Sequence, residues 1–287
     1  MTTIAATLRT LTAALETRYD PAEARALARR VMGHRLGRAP HELALSGAQA
    51  LTTDGLAQLA DDRRRLLAGE PVQYVLGSAP FLDLDLEVGP GVLIPRPETE
   101  ELVQLVVNEQ RAAPAPRLLD VGTGSGCIAV ALTHYLPGAM VLGLDVSAVA
   151  LAIARRNGAR YGNRVTWLEK DIFGLVSRET VGGGLDGLIS NPPYVPRREQ
   201  AELAPHVRDH EPALALFVPD DDPLKYYRRL TEVGRLTLRG GGRLYLETHT
   251  DYAVVIGDLL TGAGYHMGRV HDDFTGRPRF VTATWPG

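Results

Sequence analysis

Residues 117–132 read RLLDVGTGSGCIAVAL, and the fold turns on them. An apolar run ends at Asp120-Val121, glycines follow at 122, 124 and 126, and an apolar helical stretch begins at once. Glycine lets the backbone approach a ligand closely, and a helix N-terminus offers unpaired N–H groups to an anionic end. The dinucleotide fingerprint is spaced G-x-G-x-x-G. Here the spacing is G-x-G-x-G, so the loop alone leaves two readings: a nucleotide-type site, or a tight strand-to-helix turn.

Outward from this loop, strands and helices alternate. Strands are expected near 117–121, 140–145, 165–168, 185–190, 242–247, 265–270 and 279–285, with helices near 126–136, 147–158, 224–238 and 251–262. That alternation predicts an α/β domain with a mostly parallel sheet, whose sites lie beyond the carboxyl ends of the strands. Three further motifs fall there. VLGLDVS ends the second strand on Asp145, which can accept both hydroxyls of a ribose or else cap the next helix. Asp171, in LEKDIF after the third strand, can accept from an adenine amino group while Ile172 or Phe173 packs on the ring; the alternative is an ordinary turn acid. SNPPYV follows the fourth strand. There Asn191 offers an amide oxygen and two donors, Pro192 a carbonyl without a competing N–H, and Tyr194 an aromatic face. Asn191 is pushed toward an extended conformation by the following proline. Such a rigid set of acceptors suits the NH₂ of an amide or an aromatic amine.

Upstream the texture is different. Ile4, Leu8, Leu11 and Leu15 recur at helical spacing, Tyr19-Asp20-Pro21 starts a second helix, and Gly33 to Pro40 breaks the pattern. Another helix is expected from Thr53 to Ala68, with Arg63-Arg64-Arg65 on a solvated face. Residues 1–70 therefore read as a small helical domain and 71–98 as a linker with an alternating hairpin strand from Phe81 to Val88. Residues 99–287 form the third segment, opening on a helix that begins near Thr99.

Composition limits the function. The chain has 287 residues, 45% hydrophobic and 23% charged, with net charge −3. That balance argues against non-specific nucleic-acid binding. No apolar run reaches membrane-spanning length, and no secretory signal is apparent at the N-terminus. The single cysteine, Cys127, can build neither a disulfide nor a thiol zinc site within the chain, which fits a reducing cytoplasm. Cys127 reads as a small packed residue and Asp220-Asp221-Asp222 as a helix cap. The eight histidines show no metal spacing, so no metal is expected.

Together, DVGTGSG, the two acids and SNPPY resemble class I S-adenosylmethionine-dependent methyltransferases. With EPVQYVLG, GVLIPRPETEELV, HEPALAL and DDFTGRPRFV added, nearly the whole chain resembles the HemK/PrmC family, the release factor glutamine N5-methyltransferases. The resemblance implies a Rossmann-like, mostly parallel seven-stranded sheet with a small N-terminal helical domain and a β-hairpin linker. It implies that S-adenosylmethionine is held by Gly122, Thr123, Gly124, Ser125, Gly126, Asp145, Ile172 and Asn191, to which the reading of LEKDIF adds Asp171. The substrate glutamine would lie on Asn191, Pro192, Pro193 and Tyr194, of which Asn191, Pro192 and Tyr194 carry the chemistry, while Pro95 to Glu100 would help close the pocket. Peptide chain release factors would be the protein partner, met by a cytoplasmic monomer with no stable hold on nucleic acid or membrane. Two positions depart from the family pattern: Phe81-Leu82-Asp83 and Glu247-Thr248-His249. The alternative left open is methylation of an exocyclic amine of adenine or guanine in nucleic acid.

Overall fold

The computed structural model describes residues 2–287, with backbone alone at Met267; Met1, the first residue of the expected helical domain, lies outside them. The chain divides into two units, one of residues 2–78 and 204–210, the other of 79–203 and 211–287.

The first unit holds α1 (Ile4–Leu15), α2 (Pro21–Leu36), α3 (Pro40–Leu45), α4 (Thr53–Leu67) and α5 (Val72–Leu76). Asp20 starts α2 by accepting from the backbone N–H groups of Ala22 and Glu23, and Pro21 fills the first helical position. The helix runs through Gly33, where a break was expected, and stops only at Gly37, whose φ of 59° makes a left-handed cap. Leu11, Leu15, Ala28, Val31, Leu59 and Leu66 close the core. The arginine run is not a uniformly solvated face. Arg63 is exposed, but Arg65 is half-buried and bonds Glu70 and the carbonyls of Tyr74 and Val75, tying α4 to α5. Arg35 grips the buried Asp62 through two hydrogen bonds of 2.8 and 2.7 Å.

The second unit opens with a hairpin, β1 (Ser78–Phe81) and β2 (Leu84–Glu87). The expected single strand over Phe81 to Val88 thus contains the turn itself. Leu82 takes φ 54°, a conformation that rarely suits a leucine, so nothing in its type announces the turn. Next come α6 (Pro97–Gln110), β3 (Arg117–Val121), α7 (Cys127–Tyr135), β4 (Met140–Asp145), α8 (Ala148–Arg160), β5 (Val165–Glu169), α9 (Arg178–Val181) and β6 (Leu185–Ser190). A short pair, β7 (Val195–Pro196) and β8 (Phe217–Val218), brackets α10 (Pro205–His210, part of the first unit) and α11 (Ala213–Leu216). The chain then follows α12 (Lys225–Thr237), β9 (Leu238–Glu247), α13 (Ala253–Gly262), β10 (His266–Asp272) and β11 (Pro278–Thr284).

Seven strands form one sheet in the order β10-β11-β9-β6-β3-β4-β5. The five strands from β9 to β5 are parallel, and β11 runs antiparallel to both its neighbours. Successive residues feed opposite cores: Leu118, Ile189 and Tyr245 pack on one face, Leu119, Leu188 and Leu244 on the other. Burial on both faces explains why these strands read as continuous apolar runs. The order reverses between β3 and β6, so a crevice opens beyond their carboxyl ends.

β9 begins earlier than the sequence suggests, because Gly240-Gly241-Gly242 is drawn into the strand. A Cβ at Gly242 would stand 2.7 Å from the Leu185 carbonyl oxygen, so the pairing needs a glycine there.

Candidate active site

A cavity of about 570 Å³ occupies the crevice, within the range of small-molecule sites. Its floor is the glycine loop. The N–H groups of Gly122 and Thr123 donate to the Leu144 carbonyl (2.8 and 3.0 Å), which sews the loop to the end of β4. Gly122 (φ 73°) and Gly124 (φ 55°) line the cavity in left-handed conformations. A Cβ on Gly122 would meet no protein atom within 4 Å, so the space beside it is cavity. Gly126 does something else. A Cβ there would lie 2.8 Å from the Trp167 ring and 3.1 Å from the Ala154 Cβ, so this glycine lets α7 pack on the sheet.

Gly122 and Gly124 thus face the cavity, whereas Thr123, Ser125 and Gly126 are buried and do not line it. Thr123 donates its hydroxyl to the buried Asp120, and burial pushes the Asp120 carboxyl up to about 7. The Ser125 carbonyl accepts from the side chain of Asn157, which also bonds the Glu87 backbone, so α8 holds the loop and the hairpin together.

Asp145 sits at the end of β4 and lines the cavity. Its two oxygens accept from the N–H groups of Gly124 (2.8 Å) and Ser147 (2.9 Å). Each carboxylate oxygen has two acceptor sites, so one remains on each for a ligand. Burial raises its pKa, opposed by the backbone N–H donors of Ser147 and Gly124. It does not cap α8: Ser147 does, accepting from the Ala150 N–H.

Asp171 and Ile172 line the next wall, with Phe173 beside them. Asp171 accepts from the Phe173 N–H, Phe173 lies edge-on to Tyr226, and the Lys225 ammonium stands 4.6 Å from the Phe173 ring centre. Lys225 and Tyr226, at the start of α12, have no sequence motif of their own.

The remaining wall also escapes sequence reading. Gly91, Val92 and Leu93 line the cavity, as do Pro212, Leu214 and Ala215. Glu211, its side chain fully buried, clasps the two segments: one oxygen takes the Ile94 N–H at 2.9 Å, the other the Arg96 guanidinium at 2.6 Å. Residues 95–100, expected to close the pocket, do not line it.

Beyond β6, Asn191, Pro192 and Pro193 all reach the cavity, but Tyr194 does not. The Tyr194 ring packs against the core and lies 6.2 Å from the His249 ring, and burial keeps its hydroxyl protonated. Cys127 has no activating base: burial, then the neighbouring Asp120, pushes its thiol up to about 12. Asp220 accepts from the Arg198 N–H and Asp222 pairs with Arg228. Among the described residues no group of three or more His, Cys, Asp or Glu could hold a metal ion.

A mostly parallel sheet in this order, carrying its acids at the strand ends around a glycine-floored cavity, is the Rossmann-like fold of class I S-adenosylmethionine-dependent methyltransferases. Comparison with known proteins narrows this. Residues 99–207 match the methyltransferase small domain, and residues 6–77 match the PrmC N-terminal domain. A release factor glutamine methyltransferase of Bacteroides thetaiotaomicron is 42% identical, covering 92% of this chain and 94% of that protein. Its counterpart in Chlorobaculum tepidum is 40% identical over 88% of this chain and 87% of that one. A methyltransferase structure from Pyrococcus furiosus shares the fold at a TM-score of 0.51 and 17% identity, covering 81% of this chain and 98% of that chain. The chain belongs to the HemK/PrmC family of release factor glutamine methyltransferases.

Its cofactor is S-adenosylmethionine, and the cavity fits it on three counts. The space beside Gly122 would be filled by any Cβ, Asp145 keeps free acceptor sites for ribose hydroxyls, and Ile172 and Phe173 offer an apolar wall for a ring.

Proposed function

We propose that this chain methylates the side-chain amide nitrogen of the glutamine in the Gly-Gly-Gln loop of peptide chain release factors. The observation that carries the reading is the meeting of Asn191 and Pro192 with Gly122 and Asp145 around one cavity. Acceptors suited to an amide NH₂ and groups suited to an adenosine thereby share one cavity.

An amide nitrogen is a weak nucleophile, since its lone pair is delocalised into the carbonyl. S-adenosylmethionine supplies a methyl group on a positively charged sulfur. The Asn191 side-chain oxygen and the Pro192 carbonyl each accept one hydrogen of the substrate NH₂ and so fix the direction of its lone pair. Pro192 and Pro193 bring no N–H to compete. Held geometry of this kind is worth up to ~7–11 kcal/mol in favourable cases. The same oxygens favour the positive charge that grows on nitrogen, an effect of roughly 10²–10³ in rate per group. No base is needed before attack, because the proton leaves afterwards to water. Tyr194 serves this reading by packing the end of the motif into the core rather than as a wall of the cofactor cavity.

The chain acts in the cytoplasm on a protein substrate. Its lone cysteine and its net charge of −3 support this, and among the described residues no helix is long and apolar enough to cross a membrane.

The test is mass spectrometry of a purified release factor after incubation with this chain and S-adenosylmethionine. One methyl on the Gly-Gly-Gln glutamine is expected, absent with Asn191→Ala although that variant still binds cofactor. Near-normal turnover by Asn191→Ala would overturn the mechanism. Methylation of a nucleic-acid amine instead would overturn the substrate.

A further inference from the structure

Asn191 stands at the head of a buried chain of side chains that the reaction above does not use. Its Nδ2 donates to the Thr99 hydroxyl oxygen at 3.1 Å, and that hydroxyl donates to Glu247 Oε2 at 2.7 Å. Thr99 is 2% exposed and Glu247 1%. Neither lines the cavity. They come from distant parts of the chain, Thr99 from the first turn of α6 and Glu247 from the last position of β9.

A hydroxyl has one proton. Once Thr99 gives it to Glu247, its oxygen can only accept from Asn191. An asparagine amide has one donating end and one accepting end, so this demand turns NH₂ toward Thr99 and leaves Oδ1 for the cavity. Among the described residues no hydrogen bond engages Asn191 Oδ1. The opposite flip would present NH₂ to a substrate NH₂, donor against donor, and the acceptor needed for the reaction would point away.

We propose that Thr99 and Glu247 are positioning residues that select the reactive orientation of the Asn191 amide. This rests on the reading of Asn191 as the acceptor for the substrate amide. The protonation of Glu247 adds a consequence. Burial pushes its carboxyl up to about 7; the Thr99 hydrogen bond, Arg279 on β11 and Arg96 pull it down, while Glu98 pushes it up. The nearby Tyr194 and Tyr227 hydroxyls remain protonated, and that of Tyr227 donates to the Glu247 carbonyl. A protonated Glu247 can donate to Thr99, which frees the Thr99 proton for Asn191 Oδ1 and removes the selection.

The experiment uses the full chain with two readouts. The first is methyl transfer to a release factor, with cofactor affinity measured alongside. Thr99→Val, which keeps the shape and loses the hydroxyl, is expected to lower kcat by about 10²-fold, the scale of a misplaced catalytic group. Its cofactor Kd should hold, and Thr99→Ser should restore most of the rate. The wild-type kcat should fall as pH drops through about 7, a step that Glu247→Gln removes. A Thr99→Val enzyme turning over at the wild-type rate would overturn the proposal, and so would a loss shared equally by Thr99→Ser.

The second readout needs no turnover. In protein labelled with ¹⁵N-asparagine, the Asn191 amide signals, identified by their loss in Asn191→Ala, should exchange slowly with water. They should become fast in Thr99→Val and slow again in Thr99→Ser. If the wild type methylates no release factor, the functional reading fails alone and these signals decide the positioning role: exchange unchanged by Thr99→Val would sink it.

Discussion

At the scale of single residues, the site works by assigning each polar atom one task. Asp145 shows this most simply: two of its acceptor sites hold the Gly124 and Ser147 N–H groups in place, leaving two for ligand. Asp145→Ala removes both functions, so cofactor affinity should fall before the chemistry does. Hydrogen bonds to a charged group are worth ≈ 1.5–3 kcal/mol, which corresponds to a Kd raised by about 10- to 100-fold. Titration calorimetry with S-adenosylmethionine would check it, and an unchanged Kd would remove Asp145 from the ribose role. The polar ends were legible in the sequence because they stand where strands stop. Asp145 is the last residue of β4, Asp171 and Asn191 come two residues and one residue after the ends of β5 and β6, and all three reach the cavity. Thr99 was not singled out, because its partners lie 92 and 148 residues away and no local pattern encodes such a meeting.

At the scale of elements, the central strands were readable and the short pieces were not. β3, β4 and β6 are buried on both faces, so their apolar runs are continuous and end on polar or glycine signals. α3 and α5 have only six and five residues, too short for a helical period to register. The cavity wall at residues 91–93 and 212–215 was missed for another reason: Glu211 brings these segments to the pocket across more than a hundred residues. The resemblance assigns the whole glycine loop to the cofactor, yet its third glycine packs against structure. Trp167 lies over three glycines, 126, 143 and 158, where a Cβ would come within 2.8, 2.5 and 3.1 Å of its ring. Gly126→Ala should therefore act first on stability. Overpacking costs roughly 1–3 kcal/mol, and a left-handed φ costs an alanine ~1–2 kcal/mol more. Urea unfolding should reveal a loss of that order; a variant as stable as wild type that binds cofactor poorly would show that Gly126 belongs to the ligand after all.

At the scale of the whole molecule, two carboxyls buried around the site make stability depend on pH against the usual direction. Asp120 and Glu247 are pushed by burial from 3.8 and 4.5 to about 7. Between those limits the folded chain keeps two protons that the unfolded chain has released. Stability from these groups is therefore fully present below about pH 4, declines as pH rises toward 7, and is gone above it. Asp273 acts oppositely. The Thr275 hydroxyl, the backbone N–H groups of Arg277 and Thr275, and Arg279 hold it at about 2, so its contribution is present above 3.8 and lost as pH falls through 2. Both effects favour a mildly acidic optimum for this chain. The discriminating measurement is the difference in unfolding free energy between wild type and Asp120→Asn across pH 4 to 8. An asparagine cannot titrate, so the wild type should lose ground to it steadily with rising pH and then level off above 7. A flat difference would mean that Asp120 is ionised in the folded chain throughout. The same comparison with Glu247→Gln ties the whole-molecule effect to the site, since the proton that steadies the fold at low pH is the one that frees the Asn191 amide to turn. Stability and turnover should then change in opposite senses over the same pH interval.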